Sequence, residues 1–359
     1  MSKRLCIMTG NMKLFPVVGD YFALDIGTTA VRAVKLAGGT GGWSLEQYGY
    51  APIDIKLSGS DAAEDQRRLG EVITTVVGQS GIRSRNVVLG VPSDKMFATV
   101  IDLPNVPESE IESVVKYQAE QYIPMSLDKA KVDWALLGKS VNDQTKNEVL
   151  LASVANTFSE TRLDLIEGLG FNVIAIEPDS LALTRSLLPS GLPDARLIIE
   201  VGDFTTDIVI AYADAPRLIR SVPSGMQSLV KAATQNLNIE AAQATQFILK
   251  FGVQPDKLEG QVLRAVSTTV EQFASELEKS LKFFQTKYPS VTVGGMIMSN
   301  YGLMIPGLRE LLSEKVKLPA ELGNPWQRVR VGPSDQQKLQ PLSSQFAVAI
   351  GLAERGAGA

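Results

Sequence analysis

Residues 22–36 read FALDIGTTAVRAVKL: an apolar run carrying one acid, Asp25, then Gly27, Thr28 and Thr29, then a second apolar run broken only by Arg32 and Lys35. Two runs of strand length around a glycine-bearing turn predict a hairpin. A phosphate loop of the GxxxxGK[ST] kind leads into a helix, and here a strand follows. Taken alone, the stretch is an ordinary turn whose Asp25 satisfies local backbone donors. The next strands flank Gly38, Gly39, Gly41 and Gly42, which read as a flexible hairpin tip because no helix start follows them. Behind a charged cluster at 61–68, read as a solvated face, Leu69, Val72, Ile73, Val76 and Val77 recur at helical spacing.

Residues 86–177 have the pattern of a compact module. NVVLGVP and FATVIDLP are strands. A helix is predicted over ESEIESVVKYQAEQYIP, with Ser109 and Glu112 at capping-box spacing and a stripe of Ile111, Val114, Val115, Ala119 and Tyr122 before the stop at Pro124. KVDWALLGKS and NEVLLASVA form a hairpin, Thr157 and Glu160 open a second capped helix ending near Gly168 and Gly170, and FNVIAIEP returns as a strand. Two helices over a sheet, inserted into a first lobe, suit partner binding; the same pattern also serves as plain scaffold.

The second half opens with ARLIIEVGDFTTDIVIAY, which repeats the order of the first hairpin. Glu200 ends an apolar run, Gly202 begins a turn holding Thr205 and Thr206, and a strand returns. Two lobes carrying matched hairpins can wrap a polyphosphate with backbone N–H groups and threonine hydroxyls. Asp25 and Glu200 would then hold the waters of a Mg²⁺ ion, which favours carboxylate oxygens. The repetition turns the ordinary turn into a predicted site.

Composition narrows the chemistry. The chain has 359 residues, 45% hydrophobic and 21% charged, which is globular and long enough for two lobes. A net charge of −4 and a pI near 5.2 exclude a basic nucleic-acid footprint or a polybasic membrane patch. The absence of histidine excludes Ser-His-Asp and Cys-His triads. The single cysteine, Cys6, forms no internal disulfide and suits a reducing compartment. No apolar run approaches the roughly 20 residues of a membrane span. Residues 1–19 read as a loosely ordered lead-in rather than a secretory signal. The expectation is a cytoplasmic protein that meets a membrane through a partner.

At the matched hairpins the sequence resembles the superfamily of actin, the Hsp70 chaperones and sugar kinases: DIGTTAVRAVKL is similar to its first phosphate motif and EVGDFTTDIVI to its second. IEPDSLALTRSL resembles the segment that begins the helix connecting the lobes. Within the superfamily, VVKYQAEQYIPMSLDKAKVDWALL resembles the PilM family of type IV pilus assembly proteins, as do SVPSGMQSL and the IPGL at 305–308. The likeness runs from about residue 13 to residue 352. It implies an α/β, two-lobed actin-like ATPase fold with an inserted SHS2-like module of the FtsA 1C type in the first lobe. The implied division is a lead-in over 1–19, a first lobe over 20–85 and 176–195, the module over 86–175, a second lobe over 196–345, and a C-terminal helix and tail over 346–359.

The resemblance also implies ATP bound with Mg²⁺. Asp25 and Glu200 would serve the metal, and Asp25, Gly27, Thr28, Thr29, Lys35, Gly202, Thr205, Thr206, Gly225 and Gly302 the nucleotide. Glu177 is the implied orienter of the attacking water; its plain reading is an acid at a helix N-terminus. Turnover is expected to be weak or absent. The implied partner is the cytoplasmic N-terminal peptide of PilN, an inner-membrane protein, in a groove beside the module; the chain would be peripheral at the inner membrane, with no nucleic acid bound and self-association possible in principle. Two positions depart from the family pattern: Asn300 and Tyr301 replace glycines of the adenosine motif, and Glu200 stands where Asp is usual.

A sugar-type small-molecule kinase of the same superfamily is the alternative. An FtsA-like cell-division scaffold ranks third, because the ending SSQFAVAIGLAERGAGA lacks a basic amphipathic helix. Three charged residues take plain roles: Asp207 caps its turn, Arg32 is a solvated strand residue, and Lys250 complements a helix C-terminus.

Overall fold

The computed structural model describes residues 20–39 and 42–356; the lead-in with Cys6, Thr40 and Gly41 of the hairpin tip, and the final residues of the tail lie outside these. The chain forms two compact units, Met1–Ser186 with Pro325–Ala359, and Leu187–Asn324.

In the first unit β1 (Phe22–Ile26), β2 (Ala30–Gly39) and β3 (Gly42–Pro52) make an antiparallel meander. Helices α1 (Ile55–Gly59) and α2 (Ala63–Ser80) lead to β4 (Asn86–Val91), which pairs parallel with β1. Every residue of β1 is buried, as expected for a strand covered on both faces, so its sequence is apolar apart from Asp25 instead of alternating. Of the predicted stripe on α2, Leu69, Ile73, Val76 and Val77 are buried and Val72 is half-buried.

A separate three-stranded antiparallel sheet follows, from β5 (Met96–Pro104), α3 (Glu108–Tyr122), β6 (Ala130–Lys139), β7 (Lys146–Ala155) and α4 (Asn156–Gly168), in the strand order β5-β7-β6. Ile111, Val115 and Ala119 of α3 pack on Ile101, Leu103, Val149 and Leu151 of the sheet. The i, i+4 progression of that stripe continues to Ile123 and leaves Tyr122 exposed, contrary to the predicted stripe. Both helices also begin ahead of their predicted capping boxes, with Pro107 and Ala155 at the cap positions. At α4 the end of β7 runs straight into the helix, so the strand's pairing, not Thr157, sets the start.

Then β8 (Asn172–Pro178) pairs parallel with β4, and α5 (Asp179–Leu187) follows. The strands β4 and β8, expected at the two ends of the module, therefore belong to the larger sheet, and the module is inserted between them.

The second unit repeats the plan. Strands β9 (Ala195–Val201), β10 (Thr206–Tyr212) and β11 (Ala215–Val222) form a meander. After α6 (Met226–Leu237), α7 (Ala241–Phe251) and α8 (Gln261–Lys287), β12 (Val293–Asn300) pairs parallel with β9. Short α9 (Tyr301–Met304), α10 (Leu308–Val316) and β13 (Ala320–Leu322) complete a sheet ordered β11-β10-β9-β12-β13. As in the first unit, the strand that ends in the turn acid lies between its hairpin partner and a parallel neighbour.

The chain then returns to the first unit with β14 (Val329–Arg330), α11 (Pro333–Leu339) and α12 (Ala347–Ala353). β14 pairs with β3, giving the order β14-β3-β2-β1-β4-β8, so residues 325–345 lie with the first unit and not with the second lobe expected from sequence. α12 is buried throughout, and the Tyr21 hydroxyl donates to the Ala353 carbonyl at 2.6 Å. Among the described residues no helix is long and apolar enough to cross a membrane.

Candidate functional site

In the first hairpin Asp25 and Arg32 are register partners on β1 and β2. Arg32 Nη1 donates to Asp25 Oδ2 at 3.0 Å and Nη2 to Gln345 Oε1 at 3.2 Å, while the guanidinium carbon lies 5.8 Å from the Tyr50 ring centre. Both partners are buried, which corrects the solvated reading of Arg32. Burial pushes the Asp25 carboxyl above its usual range, and Arg32 only partly offsets this. The Gly27 N–H closes the turn on the Ala30 carbonyl at 3.0 Å. A Cβ on Gly27 would stand 2.9 Å from Arg32 Nη1, so the guanidinium lies against this turn. Thr28 is exposed, and the Thr29 carbonyl accepts from Ile53 N–H at 2.8 Å. A buried guanidinium beside a tight turn with an exposed Thr28 offers an anion positive charge and a hydroxyl donor.

Lys35 is not part of this group. It pairs opposite Gln47, three positions beyond Arg32, roughly 10 Å along the strand. There its Nζ contacts Asp20 at 2.8 Å and Glu46 at 3.1 Å. The signal that distinguishes Arg32 from Lys35 is hairpin register: an acid just before a tight turn faces the base an equal distance after it.

In the second hairpin the Gly202 N–H bonds the Thr205 carbonyl at 2.9 Å, matching Gly27. The Thr206 hydroxyl is buried and donates to the Ser224 carbonyl at 2.7 Å, so it serves the fold. Gly225 caps α6, whose Met226 and Gln227 N–H groups donate to the Gly202 and Asp203 carbonyls, each at 2.9 Å. A Cβ on Gly225 would lie 2.5 Å from the Gly202 oxygen. The turn and the start of α6 are thus one packed corner, joining Gly202, Thr205, Thr206 and Gly225. Gly302 packs at the end of β9, where an added Cβ would meet Met298 Cε at 3.1 Å and Val201 Cγ2 at 3.5 Å. Asp207 lies buried within β10, opposite Glu200, and not in the turn itself. Asn300 Nδ2 donates to Glu200 Oε1 at 3.2 Å, and the Tyr301 hydroxyl to Asp203 Oδ1 at 3.1 Å.

Glu177 is an anchor. It is buried on β8, with Arg185 Nη1 and Arg355 Nη1 each 3.2 Å from its Oε2 and Arg185 Nη2 on Oε1. Burial alone would raise its pKa, but the two guanidinium groups hold it below the usual carboxylate range. A carboxylate so held is a weak base with its lone pairs committed, which does not suit the water-orienting role expected from sequence. Arg185 also donates to the Gly351 carbonyl, so the network ties β8 and α5 to α12. Lys250 lies in the last turn of α7, 5.3 Å from the Phe251 ring centre, consistent with its helix-end reading.

The first unit also holds an open groove of about 620 Å³ between α2 and α4 of the insertion. Its floor includes Gly70, Leu165 and Leu169, and its rim the exposed Thr74 and Asp164.

The sequence matches the type IV pilus assembly protein PilM family over residues 23–357. The chain belongs to the PilM family. Among solved structures, the PilM–PilN type IV pilus biogenesis complex superposes on this PilM-family chain with a TM-score of 0.80 at 22% identity, covering 94% of this chain and 99% of that one. The ethanolamine utilization protein EutJ from Carboxydothermus hydrogenoformans matches with a TM-score of 0.53 at 11% identity, over 95% of this chain and 91% of that one. MreB 5 of Spiroplasma citri bound to AMPPNP matches with a TM-score of 0.50 at 14% identity, over 94% and 95%. At such identities these likenesses show the fold, which is the two-lobed, α/β, actin-like one that the family resemblance implied.

Proposed function

We propose that this PilM-family chain docks the extended cytoplasmic N-terminal segment of PilN in the groove between α2 and α4, and so joins the inner-membrane pilus assembly complex from its cytoplasmic side. The observation that carries this reading is the groove itself: it lies at the junction of the inserted module and has an apolar floor under a polar rim. An extended peptide suits such a slot, with side chains for the floor and main-chain groups for the rim. The likeness to a protein solved as a complex with PilN supports the choice of partner.

The same reading gives the two turns to ATP. The exposed Thr28 hydroxyl and the Arg32 guanidinium are donors suited to phosphate oxygens. Among the described residues no cluster of three or more acidic, histidine or cysteine groups could hold a metal ion by itself. Mg²⁺ needs no such cage, since it keeps several waters, and a carboxylate that accepts one hydrogen bond retains acceptor capacity. Asp25 of the first hairpin and Glu200 of the second are the carboxylates that would accept from those waters, and the ion would supply charge neutralisation for the phosphates. With Glu177 committed to two arginines, no observation favours the sugar-kinase alternative.

The test is titration of a fluorescent PilN N-terminal peptide against Thr74→Trp and Asp164→Arg, both on the exposed rim, with Tyr117→Ser on the exposed side of α3 as control. The rim variants should weaken binding about tenfold or more, a loss of about 1.4 kcal/mol, and the control should not. Undiminished binding by folded rim variants would move the dock elsewhere.

A further inference from the structure

The second turn is held by two side chains that stand where the family pattern has glycines. Asn300 ends β12 at φ 55° and ψ −127°, a conformation that glycine adopts freely and an asparagine does only under constraint. From there its amide reaches Glu200, and the next residue, Tyr301, places its hydroxyl on Asp203. Both acids belong to the β9–β10 corner, whose carbonyls are already bonded to the first amides of α6. The corner is thus tied on one side by backbone and on the other by two side-chain donors, all within the second unit.

We propose that Asn300 and Tyr301 are positioning residues that clasp the β9–β10 turn and keep it in one shape without any ligand. In a glycine-lined version of this site β12 would offer no side chain to Glu200 or Asp203, and the turn would lose these two ties while keeping its backbone bonds to Thr205 and α6. Here the strained backbone at Asn300 is held because its side chain and that of Tyr301 both find carboxylate acceptors. The consequence is a second unit whose turn geometry does not wait on nucleotide, so occupancy of the site changes little at this corner. The inference rests on the nucleotide reading only for what the ligand is; the clasp itself is a property of the ligand-free chain.

Amide hydrogen exchange on the full chain tests it, read at peptides spanning 200–206 and 225–228, without ligand and with ATP in Mg²⁺ or in EDTA. In the ligand-free wild type the hydrogen-bonded amides of Gly202, Met226 and Gln227 should be protected, and ATP should add little to that. Tyr301→Phe keeps the ring and removes the bond to Asp203, so exchange at 200–206 should quicken about tenfold, the scale of one hydrogen bond to a charged group. Asp203→Ala should quicken it at least as much, and adding Tyr301→Phe to Asp203→Ala should change nothing further. Exchange in the β12 core should stay at the wild-type rate, showing that the fold is intact. Unchanged exchange in folded Tyr301→Phe would overturn the clasp. So would wild-type turn amides that become protected only when ATP is added. If ATP alters nothing anywhere in the chain while Tyr301→Phe still loosens the turn, the nucleotide reading fails and the clasp stands.

Discussion

Arg32 and Asp25 face each other across the first hairpin, 3.0 Å apart and both buried, on the register that the turn of Gly27 imposes. Removing one member of a buried pair leaves the other charged and without compensation. Arg32→Ala should therefore lower unfolding stability by about 3–5 kcal/mol, read as a shift of the urea midpoint. Arg32→Lys restores charge but not the second bond to Gln345, and should recover only part of the loss. A wild-type midpoint for Arg32→Ala would show the pair to be energetically idle.

The Glu177 network sets a pH dependence of definite sign. Its folded pKa lies below the unfolded value of about 4.3. The stability it confers is therefore fully present above about pH 4.3 and is lost as pH falls through the lower folded value. Glu177→Gln should remove that part of the acid slope and, by leaving Arg185 and Arg355 facing a neutral amide, destabilise the chain at pH 7 by about 3–5 kcal/mol. Glu354, whose pKa burial raises and Arg328 partly pulls back, titrates in the opposite sense, so the comparison is made between wild type and variant rather than on one curve. Equal slopes in thermal melts from pH 3 to 6 would refute the role given to Glu177.

Gly225→Ala tests the second corner. The added methyl would meet the Gly202 and Asp203 oxygens at 2.5 and 2.7 Å, both backbone atoms in a turn tied to α6. The expected cost is about 1–3 kcal/mol from overpacking. The loss should be greatest at 225–228 in hydrogen exchange, and an unperturbed turn there would contradict the packing described.

Lys35 separates strand geometry from sequence proximity. Its ion partners Asp20 and Glu46 are largely exposed, so Lys35→Ala should change stability by no more than about 1 kcal/mol. Saturating ATP should raise the melting temperature of wild type and Lys35→Ala alike, since ligand at about 100 times its Kd adds about 2.7 kcal/mol. Loss of that shift in Lys35→Ala alone would return Lys35 to the site.

The sequence by itself determined the repeated hairpin, the acid before each turn, the absence of histidine chemistry and the family. These depend on patterns that neighbouring residues complete: strand periodicity, a glycine where a turn closes tightly, and an acid at a fixed distance from it. The same local logic failed where a residue's partner comes from elsewhere in the chain. In sequence Lys35 goes to the nucleotide and Arg32 to solvent, yet register carries Arg32 to Asp25 and Lys35 to Asp20 and Glu46. Glu177 has two readings in sequence, a helix-end acid and an implied orienter of water, and neither foresees Arg355 arriving from the far end of the chain. Residues 325–345 left the second unit because β14 finds its hydrogen-bonding edge at β3. Asn300 and Tyr301 read as departures from a pattern, and only the meeting of β12 with β9 gave their side chains Glu200 and Asp203 to hold. Long-range pairing decides which groups share a buried space, and in that space each charge must find a partner. The fold, and no stretch of sequence, chose those partners.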